Sequence, residues 1–194
     1  MKCIFDGGYN KTDPNSVSNS IFVRYGDFLL EELKKGKKLL IATNAKPVGH
    51  YSERIEPFFR EGADMIDKNT NEVDWGKYDT ILVLGGNNQT CVNELTRLDF
   101  NVNKLKKDVL YIGCSVGTMI MSPYLCDYDQ EKKEVNFLKG FLPSNNEIYL
   151  VHANNPWYVD DFHRNSIEKF AKENNLVVVP INENEVIERD FLIQ

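Results

Sequence analysis

Ser115 lies midway between Gly113 and Gly117 in DVLYIGCSVGTMIM, the stretch from Asp108 to Met121. An apolar run precedes the serine, and VGTMIM, which can begin a helix, follows it. A serine on a sharp turn from strand to helix stands exposed for attack on a carbonyl. The flanking glycines give such a crowded turn its room. The backbone N–H of Val116, at the start of that helix, would then help to hold a developing oxyanion. A plain strand-to-helix turn with Ser115 as its N-cap is the competing reading of the same residues. Cys114 adjoins the serine, but the positions two before and two after it hold Ile112 and Val116. Such β-branched residues suit a sharp turn poorly. The pattern therefore names Ser115 as the attacking group and turns Cys114 back into the sheet.

A serine nucleophile needs a base and a group that orients the base. The chain has three histidines, and His152 alone closes an apolar run, EIYLVH at 147–152. His152 is the candidate base; a buried, satisfied core histidine is the alternative. His50 lies in a loop before a helical pattern, where surface or substrate contact is expected. His163 falls in an amphipathic stretch beside Asp160 and Asp161, which suggests a solvated ring. For the acid, SPYLCDYDQEKKEV after the elbow supplies Asp127, Asp129, Glu131 and Glu134. The residues alone do not choose among these four.

Positioning these groups requires strands that end together. KCIF (2–5), KLLIAT (38–43), DTILVLGG (79–86), DVLYIG (108–113), EIYLVH (147–152) and LVVVPI (176–181) read as short buried strands. Residues 18–36, 52–62 and 160–175 repeat apolar positions at helical steps, the first stopping at Gly36 and the last opening on Asp160 or Asp161 as N-cap. The alternation predicts an α/β fold: an open, mostly parallel sheet with helices on both faces, three layers in all. Ligands bind such sheets beyond the carboxyl ends of the strands. The loop within LVLGGNNQT, the elbow and His152 can converge there.

The 194 residues suit one domain spanning 1–194, with no internal repeat and no linker. The formal net charge of −6 opposes nucleic-acid binding, which needs a basic face. No apolar stretch is long enough for a membrane span, and the N-terminus lacks the features of a signal peptide, so a cytoplasmic protein is expected. Cys3, Cys91, Cys114 and Cys126 show no metal-ligand spacing and read as reduced core thiols. No metal or organic cofactor is expected.

Taken together, these segments resemble the aspartyl dipeptidase (peptidase E) family of serine peptidases. The resemblance rests on GG at 7–8, KKLLIATNAKP, YDTILVLGGNNQTCVNEL, YIGCSVG, GFLP at 140–143 before the strand ending in His152, and FHRNSIEKF. It implies the class I glutamine-amidotransferase-like, flavodoxin-like fold. It also implies Ser115 as nucleophile, His152 as base, and an oxyanion hole from Gly86, Asn87 and Val116. The acid implied is Asp129, with Asp127 as the alternative, and Arg164 would hold an acidic substrate side chain. The substrate implied is a small peptide, a dipeptide with N-terminal aspartate; a homodimer is left open as the assembly state. Three positions depart from the family pattern: Val116 replaces an alanine, Val151 a proline, and ANNPWYVDD follows the histidine. Glutamine amidotransferases carry their acid two residues after the histidine, where this chain has Asn154. An amidohydrolase or esterase with the same triad, or a catalytically silent binding protein, are the other functions this pattern allows.

Overall fold

The computed structural model describes residues 1–9, 21–42, 56–58 and 60–193. A six-stranded sheet runs in the order β10-β1-β5-β4-β2-β3. Its strands are β1 (Lys2–Asp6), β2 (Leu39–Ala42), β3 (Asp64–Ile66), β4 (Thr80–Val83), β5 (Leu110–Cys114) and β10 (Val186–Asp190). All neighbours pair in parallel except β10, which closes one edge antiparallel to β1.

Alternate side chains face opposite layers, as the two-residue period of a strand demands. Phe5, Leu40, Ile81 and Tyr111 join one buried cluster; Ile4, Ile41, Leu82 and Ile112 join the other. The first cluster takes in α2 (Asn88–Arg97), through Cys91 and Leu95, and the short α3 (Val116–Met119). The second takes in α1 (Ile21–Lys34), through Ile21 and Leu29. Both faces of the sheet are therefore covered, and the fold is the three-layer α/β arrangement expected. Gly36, at φ +78, follows α1 in the left-handed region that glycine enters without strain.

Several elements depart from the expectation. β8 (Glu147–Val151) and β9 (Val177–Ile181) lie outside the main sheet and form a parallel pair of their own, joined through α4 (Asp161–Glu173). The stretch read as an acid-bearing loop is an antiparallel hairpin, β6 (Tyr124–Asp129) with β7 (Glu134–Lys139). A third buried cluster binds these parts together: Cys126 of β6, Ile148 and Leu150 of β8, and Ile167 and Ala171 of α4. Of the helix expected over 52–62, residues 52–55 and 59 lie outside the described residues, as does Thr43 of the second strand. Among the described residues no helix is long and apolar enough to cross a membrane.

Candidate active site

β5 runs straight into the elbow. Ser115 has φ 52 and ψ −112, a conformation that side-chain-bearing residues rarely hold and that tends to be kept at working sites. Local hydrogen bonds fix it. The Ser115 N–H donates to Asp6 O at 3.0 Å, and its carbonyl accepts from the N–H groups of Thr118 and Met119. The Thr118 hydroxyl lies 3.0 Å from Asp6 O and 2.9 Å from Gly113 O, and the Tyr111 hydroxyl donates to Gly117 O. The two glycines are needed for close approach. A Cβ on Gly113 would fall 2.5 Å from Gly117 O, and one on Gly117 would fall 2.1 Å from Val83 O. Cys114 points the other way, into the cluster with Ile4, Leu29 and Ile112, where burial drives its thiol pKa far up.

His152 follows β8 and also holds a positive φ, 53. Its N–H donates to Gly7 O at 3.0 Å, and its ring stacks on Tyr158 with centroids 4.4 Å apart. Gly8 packs against the ring so closely that a Cβ there would meet Cε1 at 2.3 Å. The ring is thereby set with Nε2 3.1 Å from Ser115 Oγ and Nδ1 2.8 Å from Glu183 Oε1. A carboxylate can only accept, so Nδ1 carries the proton and Nε2 is free to accept one from the serine. Burial lowers the imidazole pKa from its usual 6.5, and Glu183 works in the opposite sense.

Glu183 sits in the turn between β9 and β10, two residues past the end of β9. Its N–H donates to Asn154 Oδ1, and Asn155 Nδ2 donates to its Oε1, each at 2.8 Å. Asn154, standing where an amidotransferase would have its acid, thus holds the acid that β9 delivers. The turn is also tied to the end of β1: Asn184 N–H donates to Gly8 O, and Arg24 bridges Asn184 O to the Asp6 carboxylate. Asp6 is buried, its carboxyl pushed up to about 6 by desolvation, and it accepts the Gly8 N–H at 2.7 Å.

The carboxylate against His152 is therefore neither Asp129 nor Asp127. Asp129 closes the β6–β7 hairpin, where its Oδ1 accepts the N–H groups of Glu131 and Lys132 and its Oδ2 pairs with Lys132. Asp127 lines a cavity beside the serine but does not touch the histidine. Arg164 does not line that cavity; its guanidinium donates to Ala153 O at 2.8 Å and braces the loop after His152. His163 is not solvated. It is 7% exposed, stacks on Tyr128, bonds Tyr158 O through Nδ1 and forms part of the cavity wall. Asp160, not Asp161, caps α4 through the His163 N–H. His50 lies outside the described residues.

The cavity holds about 250 Å³ and is open to both Ser115 and His152. Gly86 and Asn87 line it on the side where β4 ends. A Cβ on Gly85 would lie 3.0 Å from the Ser115 Cβ, so this backbone passes directly against the serine. The Asn87 side chain is spent as the N-cap of α2, leaving its backbone for the site. The Val116 side chain is fully buried in the first cluster, so its extra bulk over alanine is absorbed by the core.

A candidate peptidase E protein from Listeria monocytogenes EGD-e superposes with a TM-score of 0.55 over 98% of each chain, at 21% identity. A peptidase from an acI-B1 Actinobacterium gives 0.54 over 97% of this chain and 82% of its own, at 13% identity. These two show a shared fold. No curated protein matches the sequence. The sequence profile of peptidase family S51 matches residues 29–190, most of the chain, and the protein accordingly belongs to that family of serine peptidases.

Proposed function

We propose that the protein hydrolyses short peptides through Ser115, His152 and Glu183. The observation that carries this reading is the unbroken relay of 3.1 Å from serine to imidazole and 2.8 Å from imidazole to carboxylate. His152 Nε2 takes the serine proton as Oγ attacks the scissile carbonyl. Glu183 keeps the ring in the Nδ1–H tautomer and steadies the imidazolium that forms. Backbone N–H groups of Gly86, Asn87 and Val116 stabilise the tetrahedral oxyanion. His152 then passes its proton to the leaving amine, and water admitted to the same base releases the acyl group.

The reading leaves the N-terminal aspartate without a carrier. Arg164 is committed to Ala153 O, and the cavity lining has no lysine or arginine among the described residues. Short peptides, without an acidic requirement, are the substrate class proposed. A neutral fluorophosphonate should label Ser115, located by peptide mass spectrometry, because only an activated serine reacts. An unlabelled, folded protein would remove this function.

Gly8 offers a second check that reaches the site from outside the relay. Gly8→Ala puts a methyl group where the imidazole now stands, at a backbone φ of +94 that alanine resists. Displacing a catalytic group by about 1 Å costs roughly a hundred-fold in rate. Peptide turnover should fall on that scale, with the thermal midpoint also lowered.

A further inference from the structure

The end of β1 reaches every member of the relay through its backbone. Asp6 is level with Cys114 of the neighbouring parallel strand, and its carbonyl accepts the Ser115 N–H at 3.0 Å. The Gly7 carbonyl accepts the His152 N–H at 3.0 Å, and the Gly8 carbonyl accepts the Asn184 N–H at 2.9 Å. Asn184 directly follows Glu183. Three consecutive residues therefore set the elbow, the base and the turn that carries the acid. Two of the three are glycines, which have the most conformational freedom to lose and no side chain to pin them. Another group must hold this segment to one shape.

The Asp6 carboxylate is placed to do so. Its Oδ1 accepts the Gly8 N–H at 2.7 Å and closes the segment on itself, with Gly8 at φ +94. Its Oδ2 faces the Arg24 guanidinium of α1 at 3.3 Å. The other amino group of Arg24 donates to Asn184 O, so one planar fork joins the end of β1 to the acid-bearing turn. Gly7 is pressed onto the same turn, where a Cβ would fall 2.2 Å from Asn182 O. Asp6 is buried, and desolvation pushes its pKa up to about 6 while the Gly8 N–H and Arg24 pull it down. The carboxyl is thus ionised at neutral pH despite its burial. A buried charge is costly, and an apolar residue of similar volume often serves stability as well. Neither Asp6 nor Arg24 lines the cavity at Ser115.

We infer that the Asp6–Arg24 ion pair is a positioning device for the relay. Asp6 holds the Gly7–Gly8 backbone against His152, and Arg24 locks that backbone to the turn that presents Glu183. The proposal rests on Ser115, His152 and Glu183 as the catalytic groups. It adds two positioning residues that act through them without touching substrate.

Asp6→Asn keeps an acceptor for the Gly8 N–H but loses the charge, and Arg24→Met removes the fork while keeping an apolar stem. Each should lower kcat about a hundred-fold, the scale of a catalytic group displaced by about 1 Å, with KM within about three-fold. The double variant should be no slower than the worse single, because partners that act as a unit are lost only once. The rate is taken per serine titratable by the neutral fluorophosphonate, so loss of folded protein does not register as loss of kcat. A structural role alone would lower the thermal midpoint and the number of titratable sites and leave kcat per site unchanged, which overturns the proposal. A double variant whose loss is the product of the two single losses overturns it as well. Lys2→Met breaks the exposed Lys2–Glu188 pair at the other end of β1 and should stay within about two-fold of the wild type. Should Asp6→Asn and Arg24→Met not fold, Arg24→Lys carries the test, since it keeps a positive charge beside Asp6 but not the planar fork. Its kcat per site should fall about ten-fold or more, and a wild-type kcat in folded Arg24→Lys overturns the proposal. Full rates in every variant defeat the positioning role alone, whereas a wild type that does not label at Ser115 defeats the peptidase assignment itself.

Discussion

Ser115→Ala should lower kcat for peptide hydrolysis by roughly a million-fold, the scale of a lost triad nucleophile, while the folded structure persists. The hydroxyl is the only part of the residue that the reaction needs. The backbone bonds that hold the elbow, from Ser115 N–H to Asp6 O and from Thr118 and Met119 to Ser115 O, survive the change. Its side-chain oxygen touches His152 alone among the described side chains, so no other polar group loses a partner. Circular dichroism and the thermal midpoint should therefore stay close to the wild type. Cys114→Ala is the paired control. The thiol lies in the core on the α1 side of the sheet, with a pKa raised far above the physiological range, so its loss removes packing and leaves the chemistry. An inactive but folded Cys114→Ala together with an active Ser115→Ala would reverse the assignment.

The elbow was legible because its local sequence over-determines it. An apolar strand, two glycines spaced about a serine and a helix start leave few conformations, and the close contacts at Gly113 and Gly117 show why those glycines are there. His152 was legible for a related reason: it terminates a buried strand. Glu183 followed the same rule, two residues beyond LVVVPI, and the signal for it was the acidic NENE run at the carboxyl end of that strand. The run reads as an ordinary polar turn when taken alone. Only the pairing of β8 with β9 brings its glutamate to the histidine, and pairing between strands 30 residues apart is not written in either strand. The hairpin and β10 were hidden by their charges. EVNFLK mixes polar and apolar residues and VIERD ends in three charged ones, so neither has the continuous apolar run that marks the central strands. His163 was misread because an amphipathic helix shows which face is buried only roughly, and its ring falls at the border, under Tyr128.

Glu183→Gln should reduce kcat about ten-thousand-fold and shift its pH dependence, two effects with one cause. The glutamine amide can donate to Nδ1 as readily as accept from it. Donation would move the imidazole proton to Nε2 and leave the serine without a base, as happens when a triad aspartate becomes asparagine. The positive charge formed on the ring during attack would also lose its counter-charge. The pH profile separates this role from a merely structural one. His152 must be neutral to act, so the acid limb of kcat/KM reports its pKa, which burial places below 6.5. Glu183 is the influence that raises that pKa, through its hydrogen bond and its charge. Removing the charge should therefore move the acid limb to still lower pH, even as the plateau falls. Asp129→Asn is the control, since that carboxylate serves the hairpin turn and Lys132. It should leave both plateau and limb within about two-fold and a few tenths of a pH unit of the wild type, as surface changes do. A collapse of activity in Asp129→Asn, with Glu183→Gln near normal, would return the acid to the hairpin and require β8 and β9 to pair differently in the working enzyme.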